Sequence, residues 1–342
     1  MTLRVGSINR PEMRWMSDLI EVKDLTVLFP VKRELFKPKK FVRAVHHVNL
    51  NIKRGSIVGL AGESGSGKST TGKAILHLVK PTSGDVLIDG CSIFCSNYDA
   101  KELRKNNQII FQDSFSSLNP QKTIRQSLET PMKIHHIGKT EQERNGILEK
   151  TLKDVGLSGD VLTKYPHEFS GGQLQRICIA RALLLQPSFI VCDEAIAALD
   201  VSIQSQIINL FRQLKEKYHL TYLFISHNLS VLKYLCDEIG IMYLGKIVEY
   251  APAAELFANP QHPYTKALLS VIPVPDPKIQ GVYASENIIE GEIPSPIAPP
   301  PGCAFSTRCP FVCEQCKSQE PERVFVSEDH YVACHCVKRS NE

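Results

Sequence analysis

Charge of one sign is what this sequence conspicuously lacks: 40 Lys and Arg stand against 36 Asp and Glu, a formal +4 on 342 residues. So mild an excess gives no argument for a nucleic acid partner. Aromatic residues make up 7%, with a single tryptophan. No uncharged apolar run approaches the ~20 residues that cross a bilayer, so the chain is not expected to span a membrane by itself. The N-terminal MTLRVGSINRPEMRW has no continuous apolar stretch of the kind a secretory signal requires. Low hydrophobicity, the mark of a disordered chain, is also missing: 43% hydrophobic residues are enough for a sizeable core.

Cysteine, by contrast, is abundant. Eleven are present, five scattered at 91, 95, 178, 192 and 236 and six crowded between 303 and 336. An odd total without a secretory signal argues against a disulfide framework. The crowded set Cys303, Cys309, Cys316 and Cys334, with Cys313 and Cys336 beside it, offers four thiolates of the kind that suit Zn²⁺ or an iron–sulfur cluster. Its spacings match neither the paired Cys-x2-Cys of zinc ribbons nor the bacterial ferredoxin run. Cys178 and Cys192 read as core fillers.

Residues 1–18 are polar and aperiodic, read as a disordered leader within which Met16 is an alternative start. From 19 to 258 short apolar runs (IEVKDLTVLF, SIVGLAG, QIIFQ, SFIVCDE, YLFISH, IGIMYLGKIVEY) alternate with helical patterns at 69–79, 140–156, 171–186, 202–218 and 228–236. That alternation predicts an α/β fold with a largely parallel sheet. Composition then changes: 11 of the 21 prolines lie between 252 and 301, which predicts an extended, stiff connection without regular helix.

Gly62-Glu63-Ser64-Gly65-Ser66-Gly67-Lys68-Ser69 matches G-x-x-x-x-G-K-[ST], follows an apolar strand and opens a helix. Its glycines let backbone N–H groups turn towards phosphate at the positive end of that helix. Lys68 is expected to neutralise the β- and γ-phosphates and the Ser69 hydroxyl to ligate Mg²⁺. Phe189–Glu194 is a buried strand ending in two acids. Asp193 is expected to hold Mg²⁺, and Glu194 to polarise the water that attacks the γ-phosphate. Another strand delivers His227 to its end. Ser170-Gly171-Gly172-Gln173 forms a second N-capped, glycine-rich helix start, an anion site that one nucleotide does not need from the same subunit.

Together these motifs resemble the ATPase subunits of ABC transporters over almost the whole chain. Gly62–Ser69 resembles the Walker A loop, with Thr70 beside it, and Gln112 resembles the Q-loop glutamine. Ser170–Gln173 resembles the signature motif, Phe189–Glu194 Walker B with the catalytic glutamate, Asp200 the D-loop and His227 the switch histidine. The resemblance implies a P-loop NTPase fold with a helical subdomain at about 113–185, ATP and Mg²⁺ as ligands, and Gln112 joining Ser69 and Asp193 at the metal. It implies head-to-tail pairing of two ATPases, in which the signature motif of one closes over nucleotide held by the other. Phe41, 27 residues before Lys68, sits where the family stacks an aromatic on adenine.

Segments such as FQDSFSSLNP, LDVSIQSQIINL, QHPYTKALLSVIPVPDP and GEIPSPIAPPPGCAFSTRCP resemble, more narrowly, the oligopeptide/dipeptide importers, whose features nickel importers share. That implies a C-terminal extension at 259–342 in which Cys303, Cys309, Cys316 and Cys334 hold a 4Fe–4S cluster, with Zn²⁺ the alternative. The basic insertion Phe29–Phe41 implies a sister ATPase as heterodimer partner. Two permeases, an extracytoplasmic peptide-binding protein and a position on the cytoplasmic face of the bacterial inner membrane follow from the same resemblance. A soluble ABC ATPase in DNA repair or translation generally carries two cassettes or a long coiled-coil insertion, and neither is here. A nucleotide-gated scaffold without turnover would not need Glu194 and His227. The departures are Ala195 and Ala197 around the D-loop, Phe169 before the signature, Asn228 after the histidine and Ser114 after the Q-loop. None removes a group expected to touch phosphate or Mg²⁺.

Overall fold

The computed structural model describes residues 18–31, 39–95, 98–272 and 291–337. The leader up to residue 17, the middle of the basic insertion at 32–38 and the stretch 273–290 lie outside the described residues.

β1 (Asp18–Pro30), β2 (Phe41–Lys53), β4 (Ser83–Ile88) and β5 (Cys91–Ser92) form an antiparallel sheet in the order β2–β1–β4–β5. β2 was not legible as a strand because its apolar positions are interrupted by Arg43, His46, His47 and Asn49. Its register against β1 nevertheless sets Val45 opposite Val27 and Val48 opposite Leu25, all four buried.

The larger sheet holds β3 (Ile57–Ala61), β6 (Asn107–Ile110), β7 (Phe189–Asp193), β8 (Thr221–Ile225), β9 (Glu238–Tyr243), β10 (Lys246–Pro252), β11 (Arg323–Ser327) and β12 (His330–Ala333). Its order is β11–β12–β10–β9–β3–β8–β7–β6, and the run from β9 to β6 is parallel. β3, β7 and β8 are buried at every position, as continuous apolar runs covered on both faces must be. Alternate residues serve opposite layers. Val58, Leu60, Val191, Leu223 and Ile225 pack towards the antiparallel sheet. Ile57, Ile190, Cys192, Tyr222 and Phe224 face the helices instead.

The helices are α1 (Lys68–Ile75), α2 (Ala100–Asn106), α3 (Ile124–Ile134), α4 (Glu141–Asp154), α5 (Gly171–Leu183), α6 (Val201–Tyr218), α7 (Leu229–Leu235), α8 (Ala253–Ala258), α9 (Pro263–Ser270) and α10 (Glu314–Ser318). α3 and α4 lie between β6 and β7 in sequence and open with reciprocal capping boxes, Thr123 with Gln126 and Thr140 with Glu143. Leu128, Met132, Leu148 and Leu152 bury their inner faces against Ile177 and Leu174 of α5.

Three expectations need correction. The run IGIMYLGKIVEY is two strands, folded into a hairpin at Leu244 and Gly245, both with positive φ (42° and 81°) as a tight primed turn requires. The proline-rich stretch does contain helix: α8 follows Pro252, and α9 begins at Pro263, where a missing N–H leaves no bond unmade. The first helix ends at Ile75, short of the predicted 79.

The segment after 290 does not build a core of its own. Cys303, Phe305 and Cys316 join the same apolar cluster as the helices. Its hairpin β11–β12 extends the large sheet through antiparallel pairing of β12 with β10. A buried ionic node fastens the join. His330 is fully buried, with Nε2 2.9 Å from Glu249 Oε1 and Nδ1 2.8 Å from Glu255 Oε1. Burial works against its protonation, but the two carboxylates prevail and raise its pKa. Glu249, itself fully buried, also accepts the backbone N–H groups of Gln261 (2.6 Å) and His262 (2.9 Å). Burial lowers the pKa of His262 to about 4, and its Nδ1 accepts the N–H of Tyr264 at 3.0 Å.

Candidate functional site

The parallel register explains why residues far apart in sequence meet. Leu60 pairs with Ile225, and Ile225 with Asp193, so β3, β8 and β7 end at one edge. There they deliver the Gly62–Ser69 loop, His227 and Asp193–Glu194, at the carboxyl end where α/β sheets bind ligands.

The loop is a fixed scaffold. Gly62 has φ 143°, and a Cβ there would stand 2.2 Å from the Met242 carbonyl oxygen. Gly67 has φ 103°, with a Cβ 2.2 Å from that of Ala44. Neither position accepts a side chain. Lys68, 4% exposed, directs Nζ onto the carbonyl oxygens of Gly62 and Glu63, both at 2.8 Å, and to Ser66 Oγ at 3.3 Å. Burial lowers its pKa, against the opposing pull of Glu194, Asp193 and Glu63.

Ser69 Oγ donates to Asp193 Oδ1 at 2.5 Å, and Lys73 Nζ stands 3.9 Å from Asp193 Oδ2. A hydroxyl and a carboxylate in contact at a helix start are the oxygen donors a hard divalent cation needs, so the residues fit Mg²⁺. Glu194 has φ 50°, and its N–H donates to the Ile225 carbonyl at 2.9 Å, which turns its side chain out of the strand. His227 Nδ1 lies 3.4 Å from Glu194 Oε1. Ser226 Oγ accepts the Asn228 N–H at 3.0 Å.

Other expected site residues stand apart. Gln112 is exposed just beyond β6 and is hydrogen-bonded to none of these groups among the described residues. Phe41 is 40% exposed at the start of β2. Ser170 caps α5, its Oγ accepting the Gln173 N–H at 3.4 Å while Gln173 Oε1 accepts the Ser170 N–H at 3.1 Å. A Cβ on Gly172 would approach Ile203 Cγ2 to 2.7 Å, so the signature turn packs closely on α6, which starts after Asp200. Among the described residues no hydrogen bond or ion pair joins Ser170–Gln173 to the Gly62–Ser69 loop.

Two groups escaped the sequence reading. The N–H of Glu63 donates to Tyr264 Oη at 2.9 Å, and the carboxylate of Glu63 is held by Arg308. The only signal for either was that both lie in segments shared with peptide importers.

All 11 cysteines are free thiols. Cys303, Cys309, Cys316 and Cys334 come within mutual electrostatic range. Burial raises the pKa of each, that of Cys303 to about 11, and neighbouring thiols of the same set push Cys303, Cys309 and Cys334 further up. Cys313 Sγ is 3.4 Å from Cys316 Sγ. Among the described residues no group of three or more His, Cys, Asp or Glu side chains stands in a metal-holding arrangement. The four expected ligands are therefore not arranged as a metal site among the described residues.

Comparison with known proteins agrees with this geometry. The family described as "ABC transporter" matches residues 45–197, and "Oligopeptide/dipeptide transporter, C-terminal region" matches 248–316. The oligopeptide transport ATP-binding protein AppF of Bacillus subtilis is 48% identical over 93% of this chain and 97% of its own length. OppF of Salmonella typhimurium, also an oligopeptide transport ATP-binding protein, is 44% identical over 89% and 92%. Among solved structures, cbiO1 from Clostridium perfringens, part of the ABC transporter complex cbiONQ, superposes with TM-score 0.61 at 26% identity, covering 71% of this chain and 91% of that one. The dimeric MJ0796, a bacterial ABC transporter cassette, gives 0.59 at 31%, covering 68% and 98%.

Proposed function

We propose, because this chain belongs to the ATP-binding subunits of ABC transporters, that it is the ATPase that drives peptide uptake through separate membrane permeases. It is an ABC ATPase, and no helix among its described residues is long and apolar enough to cross a membrane. Its place in the membrane complex is by contact with permease subunits. The peptide assignment is carried by the match of residues 248–316 to the oligopeptide/dipeptide transporter C-terminal region.

The chemistry follows from the side chains. Backbone N–H groups of the loop and Lys68 bind the β- and γ-phosphates, while Phe41 takes the adenine. Ser69 and Asp193, with Gln112, would hold Mg²⁺, whose charge offsets that developing on the phosphate oxygens. Glu194 accepts a proton from the attacking water, and His227, 3.4 Å away, orients that carboxylate. Ser170–Gln173, which makes no hydrogen bond to the loop of its own chain among the described residues, closes over nucleotide held by a sister ATPase. Asp200, at the start of α6, lies next to that interface. The partners are then a second, homologous ATPase, two permeases and an extracytoplasmic peptide-binding protein, on the cytoplasmic face of the membrane.

Proteoliposomes containing the assembled complex and its peptide-binding protein should accumulate a labelled oligopeptide only with ATP inside, on the side of this subunit. Accumulation of Ni²⁺ in the absence of any peptide transport would replace the substrate class.

Cys303, Cys309, Cys316 and Cys334 are thiols that would suit either Zn²⁺ or an iron–sulfur cluster, and the resemblance of the extension to that of peptide importers favours a 4Fe–4S cluster. When bound, the cluster supplies cross-links that hold the extension in place. Anaerobically purified protein should contain about four irons and absorb in the visible. Stoichiometric zinc would overturn that choice.

A further inference from the structure

Glu63 is an anomaly in a loop that receives a highly charged anion. It lies between Gly62 and Ser64, its carbonyl oxygen accepts Lys68 Nζ at 2.8 Å, and its charge acts on Lys68. Left alone, its carboxylate would compete with phosphate for Lys68 and repel the incoming anion. The extension prevents this. Arg308 grips Glu63 with both arms of its guanidinium, Nη1 to Oε2 at 2.8 Å and Nη2 to Oε1 at 3.1 Å. The Arg308 side chain is only 8% exposed, so the pair is poorly screened. Arg308 is itself held in place. Its N–H donates to the Phe305 carbonyl at 3.0 Å, its guanidinium lies 5.9 Å from the ring of Tyr243, and Phe305 packs on Tyr243 and Tyr264 at 5.3 and 5.4 Å. Tyr264 Oη, at 2.9 Å from the Glu63 N–H, fixes the backbone of the same residue.

We propose that Arg308 is a positioning residue of the nucleotide site: by neutralising and orienting Glu63 it leaves Lys68 and the loop N–H groups free for a nucleoside triphosphate. The C-terminal extension thereby completes an ATP site whose other residues all precede it. This rests on the nucleotide reading of Gly62–Ser69.

The test is MgATP affinity of the full-length chain, read by displacement of a fluorescent ATP analogue, together with KM and kcat in the assembled complex. Arg308→Ala should weaken MgATP binding about tenfold and raise KM with little change in kcat. Arg308→Lys, which keeps charge without the fork, should fall between. The decisive variant is the double Glu63→Gln/Arg308→Ala, which removes the stranded carboxylate and should recover most of the lost affinity. A double variant as weak as Arg308→Ala, or an Arg308→Ala protein with wild-type affinity, would overturn the proposal; the first result would reduce the pair to a structural clip. Where Arg308→Ala does not fold, Arg308→Lys takes its place in the comparison, and wild-type MgATP affinity there overturns the proposal. Lys68→Ala in the same assay separates the two readings. Loss of binding there with none in Arg308→Ala defeats this proposal alone, and undiminished binding in Lys68→Ala defeats the nucleotide site itself.

Discussion

Glu194→Gln should abolish ATP turnover in the assembled complex while leaving ATP bound. The amide keeps the shape of the carboxylate but cannot accept a proton, and a positioned general base contributes about 10²–10⁴-fold. The backbone that aims the side chain, φ 50° with its N–H on the Ile225 carbonyl at 2.9 Å, does not depend on the substituted atom. Lys68, Ser69 and Asp193 are untouched, so the nucleotide stays and holds two ATPase subunits closed. Steady-state phosphate release should fall by at least two decades, and ATP should shift the subunits to a long-lived pair on size-exclusion chromatography. An unchanged rate of hydrolysis would remove Glu194 from its role.

Lys68→Ala should abolish ATP binding. Charge-assisted hydrogen bonds are worth about 1.5–3 kcal/mol each, so losing two or more to phosphate corresponds to roughly a hundredfold or greater loss of affinity. The ammonium is 4% exposed and already held at two carbonyls at 2.8 Å, so its aim towards the loop interior is built in before any ligand arrives. Alanine also leaves those carbonyl oxygens facing the phosphates. Equilibrium titration with MgATP reads the effect, and wild-type affinity would refute the loop assignment.

These two residues were legible because their surroundings are local. The loop is eight consecutive positions after a buried strand, and Asp193–Glu194 directly follow four apolar residues. β3, β7 and β8 are continuous apolar runs because both faces are covered. Where one face meets solvent or polar neighbours, as in β2, no such run exists and the strand went unseen. Proline counting failed at α8 and α9 because it ignored position: Pro252 and Pro263 stand before or at the first turn. The crowding of Cys303, Cys309, Cys316 and Cys334 predicted a metal site that is not assembled among the described residues. The Glu63–Arg308 pair, 245 residues apart, lies beyond any periodicity or motif, since only the completed fold brings its ends together.

The position of β12 carries a consequence for how the protein is made. β12 lies inside the large sheet, between β11 and β10, with Tyr331 against Tyr250 and Val332 against Glu249. During synthesis, therefore, β10 presents an open edge until β12 has been made, and Glu63 lacks its partner until Arg308 has. A nascent chain halted before His330 is left with an unpaired strand and a buried-type carboxylate at Glu249 without its histidine, the kind of edge on which incomplete chains stick to one another. Synthesis of β12 is thus the step that seals this edge of the sheet, after Arg308 has become available to the phosphate loop.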